Sequence, residues 1–328
     1  MTQEALMLLG GLVLIIKGGD WFVAASIRFA EFLRMPRVVI GSTLVSLTTT
    51  MPEMLVSMMA GLHGESGLAI GNAVGSCICN IGLILGVTAV IQRMDFHFKA
   101  IKGALLFMVG LGVLLLVMSL DLHLVRWQGA LLLLLGASYF VWDFTQAWRN
   151  REPADIAQAK QIDKDIVAGR RFLDTRPGTI AQFLGGAAVV LIGSRLLVDG
   201  ASGIARHLGI PSIVIGLTVV ALGTSLPELV TAVTSSRKKV SDLALGNVLG
   251  ANIANLSLVV GLAAVLQEVS MDRVTQLFNF PAMLVMMGLV VFFATTGRRV
   301  SKREGGILIG CYVAYLIGVV LITIAGKR

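Results

Sequence analysis

Residues 40–90 of this chain recur at 215–265 without a gap, and twenty of the 51 positions are identical. The shared residues include Gly41/Gly216, Thr49/Thr224, Pro52/Pro227, Glu53/Glu228, Gly71/Gly246, Asn72/Asn247, Gly75/Gly250 and Asn80/Asn255. A match of this kind marks an internal duplication and restricts the fold to two copies of one unit. The copies lie in apolar runs of membrane-spanning length. A bilayer core of about 30 Å takes roughly 20 apolar residues per helix. Ten such runs are present, at 4–25, 37–61, 67–91, 101–119, 127–147, 179–199, 211–235, 242–266, 279–296 and 306–325. Only 14% of the residues are charged, against about 25% in soluble domains, which excludes most soluble readings.

The repeat assigns five runs to each half. Five is odd, so the second half crosses in the opposite sense to the first, an arrangement typical of secondary transporters with a midplane site between the halves. The expected fold is an all-α polytopic membrane protein with ten transmembrane helices as two inverted five-helix repeats. The expected organisation is 1–147, first repeat; 148–178, a connecting loop with a short amphipathic helix around Ile156–Phe172; and 179–328, second repeat. The first run is expected to remain as a span and not to be cleaved as a signal sequence, since it carries Lys17 and Asp20 and lacks a basic leader.

Net charge is +8, and position explains it. Twenty of the 27 basic residues fall in alternate connections, seven of them in 148–178, while the other connections and the C-terminus hold Arg126, Arg206, Arg273, Lys327 and Arg328. Basic loops are retained in the cytoplasm, so both termini are expected outside and the 148–178 loop inside, in a plasma membrane. A nucleic-acid partner becomes improbable; the expected partners are membrane lipid and transported cations, with the chain working as a monomer.

Glu53 and Glu228 sit mid-span in Thr48-Thr49-Thr50-Met51-Pro52-Glu53 and Gly223-Thr224-Ser225-Leu226-Pro227-Glu228. An ionisable group at that depth costs several kcal/mol and marks a functional site facing the bundle interior. Pairing with Lys17 or Arg195 is the competing reading, but neither base is repeated between the halves. Pro52 and Pro227 should break their helices just before each glutamate, freeing carbonyls within Ser46–Thr49 and Ala221–Thr224. Thr49, Thr50, Thr224 and Ser225 add hydroxyls. Two carboxylates with carbonyls and hydroxyls form the donor set of a hard cation such as Ca²⁺.

The third span of each half carries Asn72, Ser76 and Asn80, or Asn247, Asn252 and Asn255, and the repeat aims Asn80 and Asn255 at the glutamates. Gly71, Gly75, Gly246 and Gly250 have the spacing of close helix packing. Cys77 and Cys79 suit packing better than ligation. His63, His97, His123 and His207 all fall at span ends or in loops, leaving no base for a nucleophile, so no enzymatic activity and no cofactor are expected.

These motifs resemble those of the cation/calcium exchanger superfamily, the sodium/calcium exchangers, and most closely its bacterial inner-membrane members. The resemblance covers essentially the whole chain. It implies calcium held by Glu53, Glu228 and the carbonyls of Thr49 and Thr224, and sodium sites at Ser46, Thr49, Thr50, Ser76, Ala221, Thr224, Ser225 and the glutamates. Asn80 and Asn255 would flank the centre, and the first and sixth spans would slide across the core. Departures are Ala251 in place of a serine, Asn255 in place of an acid found in some members, Thr48 for Gly, Thr50 for Ser, Met51 for Leu and Cys77 for Asn. The function expected is exchange of Ca²⁺ for Na⁺ by alternating access. Alternatives are H⁺/Ca²⁺ exchange at the same glutamates, a passive cation channel, and an intramembrane hydrolase.

Overall fold

The computed structural model describes residues 2–62, 66–95, 98–149, 175–208, 221–297 and 299–325. The expected amphipathic helix at 156–172 lies outside them. The helices are α1 (Thr2–Leu33), α2 (Arg37–Thr49), α3 (Met51–Leu62), α4 (Gly67–Ile91), α5 (Phe98–Met118), α6 (Arg126–Arg149), α7 (Arg176–His207), α8 (Ala221–Thr224), α9 (Leu226–Arg237), α10 (Ser241–Leu266), α11 (Thr275–Thr296) and α12 (Lys302–Ala325). Among the described residues eight helices are long and apolar enough to cross a membrane, and the bent pair α2/α3 makes a ninth. Of the expected span 211–235 only the part from Ala221 onward is described, as α8 and α9.

Burial sorts the helices into a centre and a rim. In α4 and α10, 72% and 83% of the apolar window is buried, against 17–39% for the other six long helices. The two central helices are the ones that carry the repeated asparagines and small residues. Large apolar side chains of the rim, such as Leu6, Leu134, Phe292 and Ile317, point outward. In a membrane protein such a surface is the lipid face.

α1 extends beyond its expected end at 25, to Leu33; Arg34 closes it in the left-handed region at φ 54°, and Pro36 then prevents continuation. α1 packs along α7 through glycines seven residues apart, Gly11 and Gly18 against Gly186 and Gly193. A Cβ on Gly193 would stand 2.9 Å from the Ile15 amide nitrogen and 3.0 Å from the Gly11 carbonyl oxygen, so the backbones touch directly. Gly246 and Gly250 pack in the same way against Val38, Ser42 and Ser46 of α2. Gly71 and Gly75 meet nothing within 4 Å among the described residues, and the segment matching Val38–Ser42 in the repeat, 213–217, lies outside them.

Two short antiparallel strand pairs tie the halves together. β1 (Met94–Asp95) pairs with β4 (Arg299–Val300), and β2 (His123–Leu124) pairs with β3 (Val269–Ser270). The connection after α4 in the first half therefore meets the connection before the last helix of the second half, and the reverse pairing holds too. Arg37 Nε adds a 2.9 Å ion pair to Asp242, joining the starts of α2 and α10.

Candidate ion-binding site

Both broken spans fail at the same repeat position. Thr50 turns between α2 and α3 with φ −79° and ψ 0°, and Ser225 turns before α9 with φ −89° and ψ 8°. The axes of α2 and α3 differ by 43°. Each break comes two residues before the proline, which occupies the second position of the following helix, where its missing N–H removes no intrahelical bond. Glu53 and Glu228 thereby fall in the first turn of α3 and α9, whose amide dipoles favour a negative charge.

The two carboxylates are completely buried. Each takes a hydroxyl from the opposite half. Thr50 donates to Glu228 Oε1 at 3.3 Å, and Ser225 donates to Glu53 Oε1 at 3.4 Å. Thr50 and Ser225 are equivalent in the repeat, so the contacts are reciprocal. Both are longer than the 2.5–3.0 Å of ordinary O–H···O bonds. Oε2 of each glutamate has no hydrogen-bond partner among the described residues, and no basic side chain there pairs with either acid. The third acid or thiol of a conventional metal cluster is also absent among the described residues. A cation held here would rely on two carboxylates and neutral oxygens.

Neutral oxygens surround the pair. The Thr49 hydroxyl lies 3.3 Å from the Ser46 carbonyl and 3.2 Å from Asn247 Oδ1. Ser46 spends its hydroxyl on the carbonyls of Ser42 and Thr43, at 2.7 and 3.2 Å. Ser76 is buried, with its oxygen 3.5 Å from that of Ser225. Thr224 ends α8 directly before the break, and Ala221 begins that helix. Asn80 donates to Asn252 Oδ1 at 3.0 Å while its own Oδ1 is unpartnered, and neither amide atom of Asn255 has a partner among the described residues. Helices α4 and α10 switch to π-helical winding from Asn80 to Leu85 and from Asn255 to Val259. Such segments cluster at functional sites because they widen the helix and re-aim a side chain.

Three asparagines outside the expected set of site residues belong to this neighbourhood. Asn72 donates to the Glu53 carbonyl at 3.3 Å and to Ser57 Oγ at 3.0 Å. Asn247 receives Thr49, and Asn252 receives Asn80. The Asn72/Asn247 identity within the repeat was the available signal for two of them. Cys77 and Cys79 are buried free thiols, Cys77 lying 3.7 Å from the Asn252 carbonyl. His123 lies in β2 and His207 ends α7; His63 and His97 are outside the described residues. A narrow apolar cleft lined by Phe22, Ala187, Val190, Thr48, Thr49 and Pro227 runs between the α1/α7 pair and the breaks.

A buried carboxylate pair on broken helices, inside a bundle of membrane-length helices, defines a class: ion transporters, not enzymes. A family model described as sodium/calcium exchanger protein matches residues 4–145 and 178–321. The sodium/calcium exchanger MaX1 of Methanosarcina acetivorans is 36% identical, over 97% of this chain and 98% of its own. The inner membrane protein YrbG of Escherichia coli is 32% identical, over 96% of each chain. A solved structure of the sodium-calcium exchanger NCX_Mj, soaked with 2.5 mM Na⁺ and 1 mM Sr²⁺, superposes with a TM-score of 0.83 at 29% identity, covering 96% of this chain and 98% of that one. The chain belongs to the sodium/calcium exchanger family.

Proposed function

We propose that the protein exchanges Ca²⁺ for Na⁺ across the bacterial inner membrane by alternating access, the ions competing for Glu53 and Glu228. The observation that carries this reading is the pair of fully buried carboxylates, each with one unpartnered oxygen and no basic neighbour among the described residues. Burying such charges costs several kcal/mol unless a cation meets them. Two glutamates neutralise one divalent ion, and the carbonyls of Thr49 and Thr224 complete an oxygen shell of the kind Ca²⁺ accepts. Sodium would use Ser46, Thr49, Thr50, Ser76, Ala221, Thr224, Ser225 and the same acids, with Asn80 and Asn255 at the flanks. Since the hydroxyl of Ser46 is bonded within its own helix, its ligand would be the carbonyl.

Alternating access would move the α1/α7 pair across the breaks, and the cleft at Thr49 and Pro227 supports a route along that boundary. We read the fold as ten spans in inverted repeats. In that scheme an even number of spans separates β1 from β4 and β2 from β3, so each strand pair lies on one side of the membrane, in keeping with the observed pairing. The termini would be outside, the 148–178 loop cytoplasmic, and a monomer the working unit.

Everted vesicles provide the test. Calcium uptake is expected when a sodium gradient is imposed, outward from the vesicle lumen, and not when a proton gradient replaces it. Uptake driven by protons alone would assign H⁺/Ca²⁺ exchange at the same carboxylates instead.

A further inference from the structure

Asp143 is a half-buried acid that the carboxylate pair does not use. It lies in α6, seven residues from the closely packed Gly136, and has no basic partner within ion-pair distance among the described residues. The helical segments packed against α6 that flank this region are the first turns of α2, its π-helical stretch Gly41–Val45, the end of α10 from Asn255 to Leu266, and α5, whose Gly103 and Phe107 face Trp142 and Tyr139. Arg37 is the buried charged residue among them, its ion pair being with Asp242, and Lys102 of α5 is exposed. Asp143 instead accepts the hydroxyl of Ser42 at 2.8 Å, closer than the 3.1 Å from that hydroxyl to the carbonyl of Val39. A helical serine normally bonds back to its own helix. Here the shorter bond leaves α2 for a neighbouring helix.

That contact holds one end of a hydrogen-bond chain that reaches the site. The Ser42 carbonyl accepts Ser46 Oγ at 2.7 Å, the Ser46 carbonyl accepts the Thr50 amide at 2.9 Å, and the Thr50 hydroxyl reaches Glu228. Gly250 presses on Ser42 and Ser46 with no room for a Cβ. The π-helical stretch Gly41–Val45 is thus held by α10 as well as by Asp143. We infer that Asp143 is a positioning residue for the exchanger: through Ser42 it fixes the backbone that presents the Ser46 carbonyl, and so sets affinity for sodium more than for calcium. This rests on the proposed exchange function. Sodium is the ion affected because the reading gives it Ser46, whereas calcium is held chiefly by the two glutamates.

The test compares the full-length protein with Asp143→Ala, Ser42→Ala, the double variant and Asp143→Asn in proteoliposomes, after size-exclusion chromatography in detergent to establish the folded amount. Half-saturating sodium is expected to rise about five- to tenfold in Asp143→Ala and in Ser42→Ala, with no further rise in the double variant, as loss of one hydrogen bond of ordinary net strength implies. Half-saturating calcium should shift less than twofold. Asp143→Asn, whose amide oxygen still accepts Ser42, should restore the sodium value. Additive effects in the double variant, an asparagine variant as impaired as alanine, or a fall in maximal rate with unchanged sodium half-saturation would each overturn the inference. Absence of sodium-driven calcium flux in the unmodified protein would instead remove the exchange reading itself.

Discussion

Replacing Glu53 or Glu228 by glutamine is expected to lower sodium-driven calcium uptake at least about a hundredfold, with the folded protein retained. Glutamine keeps the volume of each side chain and removes its charge. A single remaining carboxylate leaves a divalent ion half neutralised in a buried site, and an uncompensated buried charge costs about 3–5 kcal/mol. The fold should tolerate the change, because the Oε2 atoms have no protein partner among the described residues to lose. Thr50 and Ser225 can still donate to the glutamine oxygen in place of Oε1. Uptake assays on variants matched for monodisperse protein provide the check. The reciprocal arrangement also requires the two variants to be similarly impaired; a severe loss in one with near-normal flux in the other would assign the site to one half only.

Gly250→Val should have a comparably large effect by another route. A Cβ at this position would sit 2.5 Å from Ser46 Oγ and press on the Ser42 backbone, with the central helix α10 on one side and α2 on the other. Neither backbone can yield locally, since α10 is the most buried of the long helices and α2 is fixed by Arg37–Asp242. Overpacking of this kind costs about 1–3 kcal/mol and more where backbone is struck. The expected result is loss of the monodisperse peak in detergent, or a folded residue without flux. Gly288→Val is the control. That glycine lies on an exposed face of α11 with nothing within 4 Å, and its replacement should leave yield and transport close to normal.

The features legible in the sequence were those carried by composition or by the repeat itself. Membrane-length runs announce themselves because lipid demands continuous apolar residues. Glu53 and Glu228 stood out because a buried acid is rare and these two recur with their prolines. The break positions were nearly right, displaced to Thr50 and Ser225 because a proline is accommodated in the first turn of the next helix. Other features depend on contacts between distant segments. The π-helical turns starting at Asn80 and Asn255 leave no compositional mark. The strand pairings join residues about 150 to 200 positions apart through two-residue ladders, too short for any periodicity. Asp143 was invisible for a different reason: it has no counterpart in the second half, and only the fold brings it to Ser42.

Equilibrium binding of radioactive calcium to the purified protein, titrated with sodium, tests most directly whether the two glutamates form the ion site. One calcium per chain, displaced by sodium and lost in both Glu53→Gln and Glu228→Gln, is the expected result. Calcium binding that persists in both glutamine variants, or that sodium does not displace, would contradict it.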